Sequence, residues 1–275
     1  MKLTDTILGI IEDVKNLTGK GVEFTKNTDL NNDAEVKFAH HLPTHKILYK
    51  DENEIDDHLV AHELGHIIIT YSTPEGKRLI PLQPGKEDMV RALSQLYPFL
   101  KEKIVDEKKM LDTFYQWHYV ATVNLLYTIQ DSTVEIWIYD NYPTIRSLQL
   151  RRLKLLLKNS LERMKDLSPL EVHPELVRSD NILNYIYYRR IGRHIGENFT
   201  KGFNYIQSLE QAKRLTEYIE RNHDGTYESD IKMTNYLAEV FHMRHWISWK
   251  DWNDIPENYA TMINGIHLEA LEQLQ

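Results

Sequence analysis

The segment "HLVAHELGHII" (58–68) places His62 and His66 four residues apart, with Glu63 directly after the first histidine. An α-helix turns once in 3.6 residues, so residues at i and i+4 share a face and can aim two imidazoles at one ion. Zinc accepts such nitrogens at about 2.0–2.1 Å. Glu63, one position further round, would stand beside the open coordination position and take a proton from zinc-bound water, as the general base of metal-assisted hydrolysis. Gly65 removes a side chain where another element must approach closely. His58 extends the row, but three ligands on one straight helix span more than two turns, too far for one ion. It reads as a partly exposed helical residue.

A catalytic zinc takes three protein ligands and a water. The third is sought in "NLLYTIQDSTVEIWIYDNYP" (124–143), where Asp131 and Glu135 are also four apart in an otherwise apolar stretch. Buried carboxylates are costly unless paired or bound to metal. Glu135 is the favoured ligand, with Asp131 as its supporting partner or substitute. Glu87, at the start of the next helix, is a lower-ranked alternative.

These residues resemble the zincin metallopeptidases of the gluzincin type. A short strand followed by "AHELGHI" is similar to the ImmA/IrrE-like metallopeptidases; the likeness covers residues 35–70 and, more loosely, 120–143. The resemblance implies a helix-rich zincin with His62 and His66 as ligands and Glu63 as base. The oxyanion of hydrolysis also needs an electrophilic helper. Tyr139, Tyr185, Tyr187, Tyr188, Arg189, Arg190 and His194 are candidates by residue type, although a helical aromatic stripe is more often core.

The elements that must position this chemistry follow from periodicity. Residues 3–17 form an amphipathic helix. Residues 21–25, 35–41 and 45–50 read as short strands separated by turn residues, and "HKILYK" occupies the place of the edge strand over a substrate cleft. Asp51 and Asn53 are candidate N-caps for the metal helix, which runs to about Tyr71. Residues 72–88 hold three prolines and two glycines and read as a loop or short hairpin. Helices follow near 87–99, 105–130, 131–140, 143–166, 180–196, 203–222, 229–244 and 257–274, with Pro143 ending the helix that carries Glu135. The expectation is a predominantly helical α+β fold. A zincin-like core with a few N-terminal strands spans 1–166 and a helical C-terminal region spans 167–275, with one continuous domain as the alternative.

The 275 residues carry 41% hydrophobic and 27% charged side chains, an ordinary globular mixture, and a net charge of −8. That charge argues against nucleic acid as a partner. The chain has no cysteine, which excludes disulfides, thiolate zinc sites and a cysteine nucleophile. No signal-peptide pattern and no membrane-length apolar run are present, so a cytoplasmic enzyme acting on a peptide or protein is expected. Two other readings remain. One is a non-catalytic zinc protein whose helical half binds a partner. The other is a di-iron carboxylate bundle using Glu63–His66 and Glu239–His242, two E-x-x-H pairs. Trp246, Trp249 and Trp252 read as a core or interface cluster.

Overall fold

The computed structural model describes residues 3–30, 32–50, 55–82, 84–166 and 172–255, the side chains at 165 and 166 excepted. Helix α1 (Asp5–Thr18) opens at Thr4, whose hydroxyl accepts the Ile7 amide, and ends at Gly19 in the left-handed conformation (φ 69°). Strands β1 (Gly21–Lys26), β2 (Ala34–Lys37) and β3 (Thr44–Tyr49) follow. They form one sheet of order β1-β3-β2, with β3 parallel to β1 and antiparallel to β2. The segment "HKILYK" is thus the central strand. Its alternation is obscured because His45, Ile47, Leu48 and Tyr49 are all buried. The edge toward the metal helix belongs to β2.

Helix α2 (Asp57–Ser72) carries the H-E-x-x-H residues. Its N-cap is Asp56, which accepts the Leu59 amide at 2.9 Å; Asp51 and Asn53, expected in that role, lie outside the described residues. Where a loop or local hairpin was expected, β4 (Leu79–Leu82) instead pairs antiparallel with the distant β5 (Ser248–Asp251). Helix α3 (Lys86–Lys103) precedes α4 (Glu107–Asn141). The two helices expected over 105–140 are one rod of 35 residues, about 52 Å long. Pro143 follows it as expected, opening a short 3₁₀ turn before α5 (Arg146–Asp166). Helices α6 (Pro174–Ile195), α7 (Leu209–Asn222) and α8 (Tyr227–Val240) complete the described helices. The helix expected at 257–274 falls outside the described residues.

The fold is therefore α+β and mainly helical, and no described helix is long and apolar enough to cross a membrane. Two apolar cores meet on α4. The smaller one joins α1, the three-stranded sheet, α2 and the C-terminal third of α4 through Ile10, Ile47, Leu64, Val134 and Ile138. The larger one joins α3, the rest of α4 and α5 to α8 through Phe114, Leu125, Ile129, Ile186 and Leu237. It draws residues from both sides of position 166, the expected boundary, and residues 167–171 beside that boundary lie outside the described set. Trp252, just after β5, packs edge-on against Tyr71 at the end of α2, with the Arg78 guanidinium 4.4 Å over the Tyr71 ring. The ribbon of β4 and β5 thereby ties the C-terminal part of the chain to the metal helix. Of the three tryptophans read as a cluster, Trp246 and Trp252 instead sit in different cores.

The crossing of α2 and α4 depends on Gly65. A Cβ there would stand 2.7 Å from Val134 Cγ1 and 3.2 Å from two ring carbons of Trp137. Replacing Gly65 by Ala therefore overpacks the crossing, at a cost of about 1–3 kcal/mol that outweighs the ~1 kcal/mol gained in helix propensity. Thermal denaturation should show a lowered Tm for Gly65→Ala and partial recovery when Val134→Ala is added. Additive effects of the two changes would show that the contact does not limit the helix approach.

Candidate metal centre

Two i, i+4 stripes face each other across this crossing. Helix α2 presents His58, His62 and His66, and α4 presents Tyr127, Asp131 and Glu135. Among the described residues, His62, His66 and Asp131 form the one group of three able to hold a metal ion. His66 Nε2 lies 3.2 Å from His62 Nε2 and 3.3 Å from Asp131 Oδ1, and His62 Nε2 lies 3.8 Å from the same oxygen. Donor atoms around a tetrahedral zinc with bonds of 2.0–2.1 Å stand about 3.3 Å apart. The triangle thus has the dimensions of one face of such a polyhedron. Two imidazole nitrogens at 3.2 Å also present like lone pairs or like protons to one another unless a proton or cation is shared between them. The residues fit a zinc ion.

Glu135 occupies a different position from the one expected. It is only 1% exposed, and its oxygens are committed to side chains rather than to the triangle. His58 Nε2 donates to both carboxylate oxygens at 2.9 and 3.1 Å, His62 Nδ1 donates to Oε1 at 2.9 Å, and Gln149 Nε2 donates to Oε2 at 2.7 Å. An ionised carboxylate only accepts, so His62 must carry its proton on Nδ1, which leaves the Nε2 lone pair for the metal. The oxygen that completes the triangle with His62 and His66 is thus that of Asp131, and Glu135 holds the Nδ1 side of the His62 ring. Position alone could not separate them, because both lie on the face toward α2 and differ by one helical turn.

Charge follows the same pattern. Burial works against the charged form of Glu135, but His58 and His62 outweigh it and hold the carboxyl well below the usual carboxylate range. Burial likewise opposes a charged His62, yet the bond to Glu135 and the nearby Asp131 and Glu63 raise its pKa to about 9. The acid-rich pocket thus calls for a positive charge, which a proton satisfies when no metal is present. Glu63 is 7% exposed and beside the triangle. Its pKa is raised, first by burial, while His62 and His66 pull the other way. Asp131 is the more open member, its side chain 32% exposed, and marks the side from which the site is reached.

Other expected residues lie elsewhere. Glu87 is exposed in the first turn of α3 and outside the cluster. Tyr185 and Tyr188 are buried in the larger core. Tyr139 is covered by the Arg146 guanidinium at 4.4 Å, and His194 bonds Asp140 at 2.8 Å. Arg189 is exposed on α6. Arg190 is buried and donates to the Ile129 carbonyl, Ser132 and His223. For Tyr187, burial and then the charges of Glu135 and Asp131 push the hydroxyl pKa up. The di-iron arrangement fails on geometry. Glu239 is exposed, α8 ends at Val240, and His242 lies beyond it with φ 59°.

Three participants were missed in the sequence. His58 is 2% exposed and anchors Glu135, where a partly exposed residue was expected; its i, i+4 spacing to His62 was the available signal. Tyr127 stands one turn before Asp131, its ring 6.3 Å from that of His66. Burial, followed by Asp131, Glu35 and Glu63, raises its hydroxyl pKa. Gln149 comes from α5 and carried no signal. Compared with known proteins, the chain matches no family model, no curated protein and no solved structure.

Zinc titration with a competing chelator should separate the two acids. Glu135→Gln is expected to weaken zinc binding about 10–100-fold, and Asp131→Ala by more; the reverse order would return the ligand role to Glu135. Zinc uptake should also be pH-dependent. Metal-free His62, with a pKa of about 9, is protonated at neutral pH and must lose that proton to bind. Affinity should therefore rise by roughly tenfold per pH unit between pH 7 and 9 and level off above. Calorimetry in buffers of different ionisation enthalpy should count close to one proton released per zinc at pH 7.

Proposed function

We propose that the chain is a zinc-dependent peptidase of zincin type. The observation that carries this reading is the His62–His66–Asp131 triangle, with the buried Glu63 directly after His62 on α2 and no fourth His, Asp or Glu of the described residues in the group. Structural zinc sites are closed by four protein ligands, whereas catalytic sites use three. A site of three supports hydrolysis over a purely structural zinc.

His62, His66 and Asp131 would hold the ion, which when bound supplies Lewis acidity and lowers the pKa of water at neutral pH. The chain's own groups do the remainder. Glu63 accepts a proton from the attacking water and passes it to the departing amine. Its desolvated position, which raises its pKa, suits a group that must both take and release a proton near neutral pH. Tyr127, whose ring stands 6.3 Å from that of His66, would donate a hydrogen bond to the oxyanion of the attacked carbonyl. Its high pKa keeps the hydroxyl protonated for that purpose. Glu135, braced by His58 and Gln149, prevents the His62 ring from turning. A peptide substrate is favoured because β2 is the sheet's edge strand on the side of α2, and an extended backbone can add to such an edge.

Glu63→Gln should retain zinc and lose at least about 10²-fold in turnover, read on a quenched-fluorescent peptide library with metal content measured alongside. Tyr127→Phe should retain zinc and lower kcat by about 10²–10³-fold with little change in KM. A zinc-loaded wild-type protein that cleaves nothing in the library, or a Glu63→Gln protein that cleaves equally well, would falsify the peptidase reading.

A further inference from the structure

Among the described residues no strand pairs with the outer edge of β2, and that edge carries a charge pattern that bears on substrate choice if the peptidase reading above holds. The Lys50 amide donates to the Asp33 carbonyl at 2.9 Å, which continues the β2–β3 register and sets its phase. In an antiparallel ladder, bonded and non-bonded pairs alternate. Residues 33, 35 and 37 therefore spend their backbone groups on β3, and those of Ala34 and Val36 point to the open side. Side chains alternate across the sheet. Ala34 and Val36 pack inward, while Glu35 and Lys37 are exposed together on the other face. Lys46 stands directly opposite Lys37 on β3, whereas Glu35 stands opposite the apolar Leu48. Lys46 in turn stands opposite Glu23 on β1, so the row Lys37, Lys46 and Glu23 carries one net positive charge, while Glu35 has no charged residue opposite it on β3. Glu35 is also among the charges that raise the pKa of Glu63 and of Tyr127.

We propose that β2 selects an extended peptide segment bearing a basic and an acidic side chain two residues apart, the basic one opposite Glu35 and the acidic one opposite Lys37. Directly opposed unlike charges stabilise a strand pair and like charges destabilise it. Only a mixed-charge segment satisfies both positions. A uniformly basic peptide meets Lys37, and a uniformly acidic one meets Glu35.

The test uses the full-length zinc-loaded Glu63→Gln protein, so that binding is read without turnover. Fluorescent, end-blocked nonapeptides carry Lys-x-Glu, Glu-x-Lys, Lys-x-Lys, Glu-x-Glu or Gln-x-Gln at their centre on one neutral background. One of the two mixed-charge peptides should bind roughly three- to thirtyfold more tightly than the neutral one at low salt, and the margin should shrink as salt is added. In the double exchange Glu35→Lys with Lys37→Glu, made at two exposed positions, the preference should transfer to the other mixed-charge peptide. Equal binding of all five peptides, no binding, or a preference that survives the exchange overturns the proposal. The peptidase reading fails separately, if the wild-type zinc protein leaves intact the peptides that bind.

Discussion

A carboxylate removed from water must find donors, and much of this molecule is arranged around one that has. Glu135 draws hydrogen bonds from α2 through His58 and His62 and from α5 through Gln149. Burying it without them would cost several kcal/mol. Because the donors come from two helices and the acceptor from a third, the positions of α2, α4 and α5 are constrained together. The histidine that turns one nitrogen to Glu135 must turn the other to Asp131 and His66. The structural demand for donors and the chemical demand for a free Nε2 are met by the same ring orientation.

The second constraint is steric. Facing stripes matter only if the helices bearing them are close, and Gly65 permits that against Val134 and Trp137. The small core around Ile10, Ile47 and Leu64 supports α2 from behind. The larger core holds α4 along most of its length. The three donor atoms are thus presented by two rods, each supported by its own apolar layer, so the group is built on rigid elements.

Local patterns made a good part of this legible. The i, i+4 histidines, the close approach at Gly65 and the helix ahead of Pro143 all follow from periodicity and residue type, and each stands where those rules place it. What local rules could not decide was anything set by a distant partner. Asp131 and Glu135 are equivalent by spacing; only the positions of His58 and Gln149 distinguish them. "HKILYK" looked like an edge strand because it precedes the metal helix, yet strand order is a property of the whole sheet. Residues 79–82 looked like a loop because their pairing partner lies at 248–251. Pro81 in that strand added to the impression, since proline is tolerated in a strand only at an edge or bulge.

That last pairing has a kinetic consequence. Ile80 meets Lys250 only after nearly all of the intervening chain is in place, and contacts of such long sequence separation form slowly because loop closure must be bought before it is rewarded. α1, the three-stranded sheet and α2 can assemble from neighbours in the chain. The clamp of Trp252 and Arg78 over Tyr71 is the last closure available to them. Helix α2 can therefore form early from its neighbours and is latched only once the distant strand β5 is present.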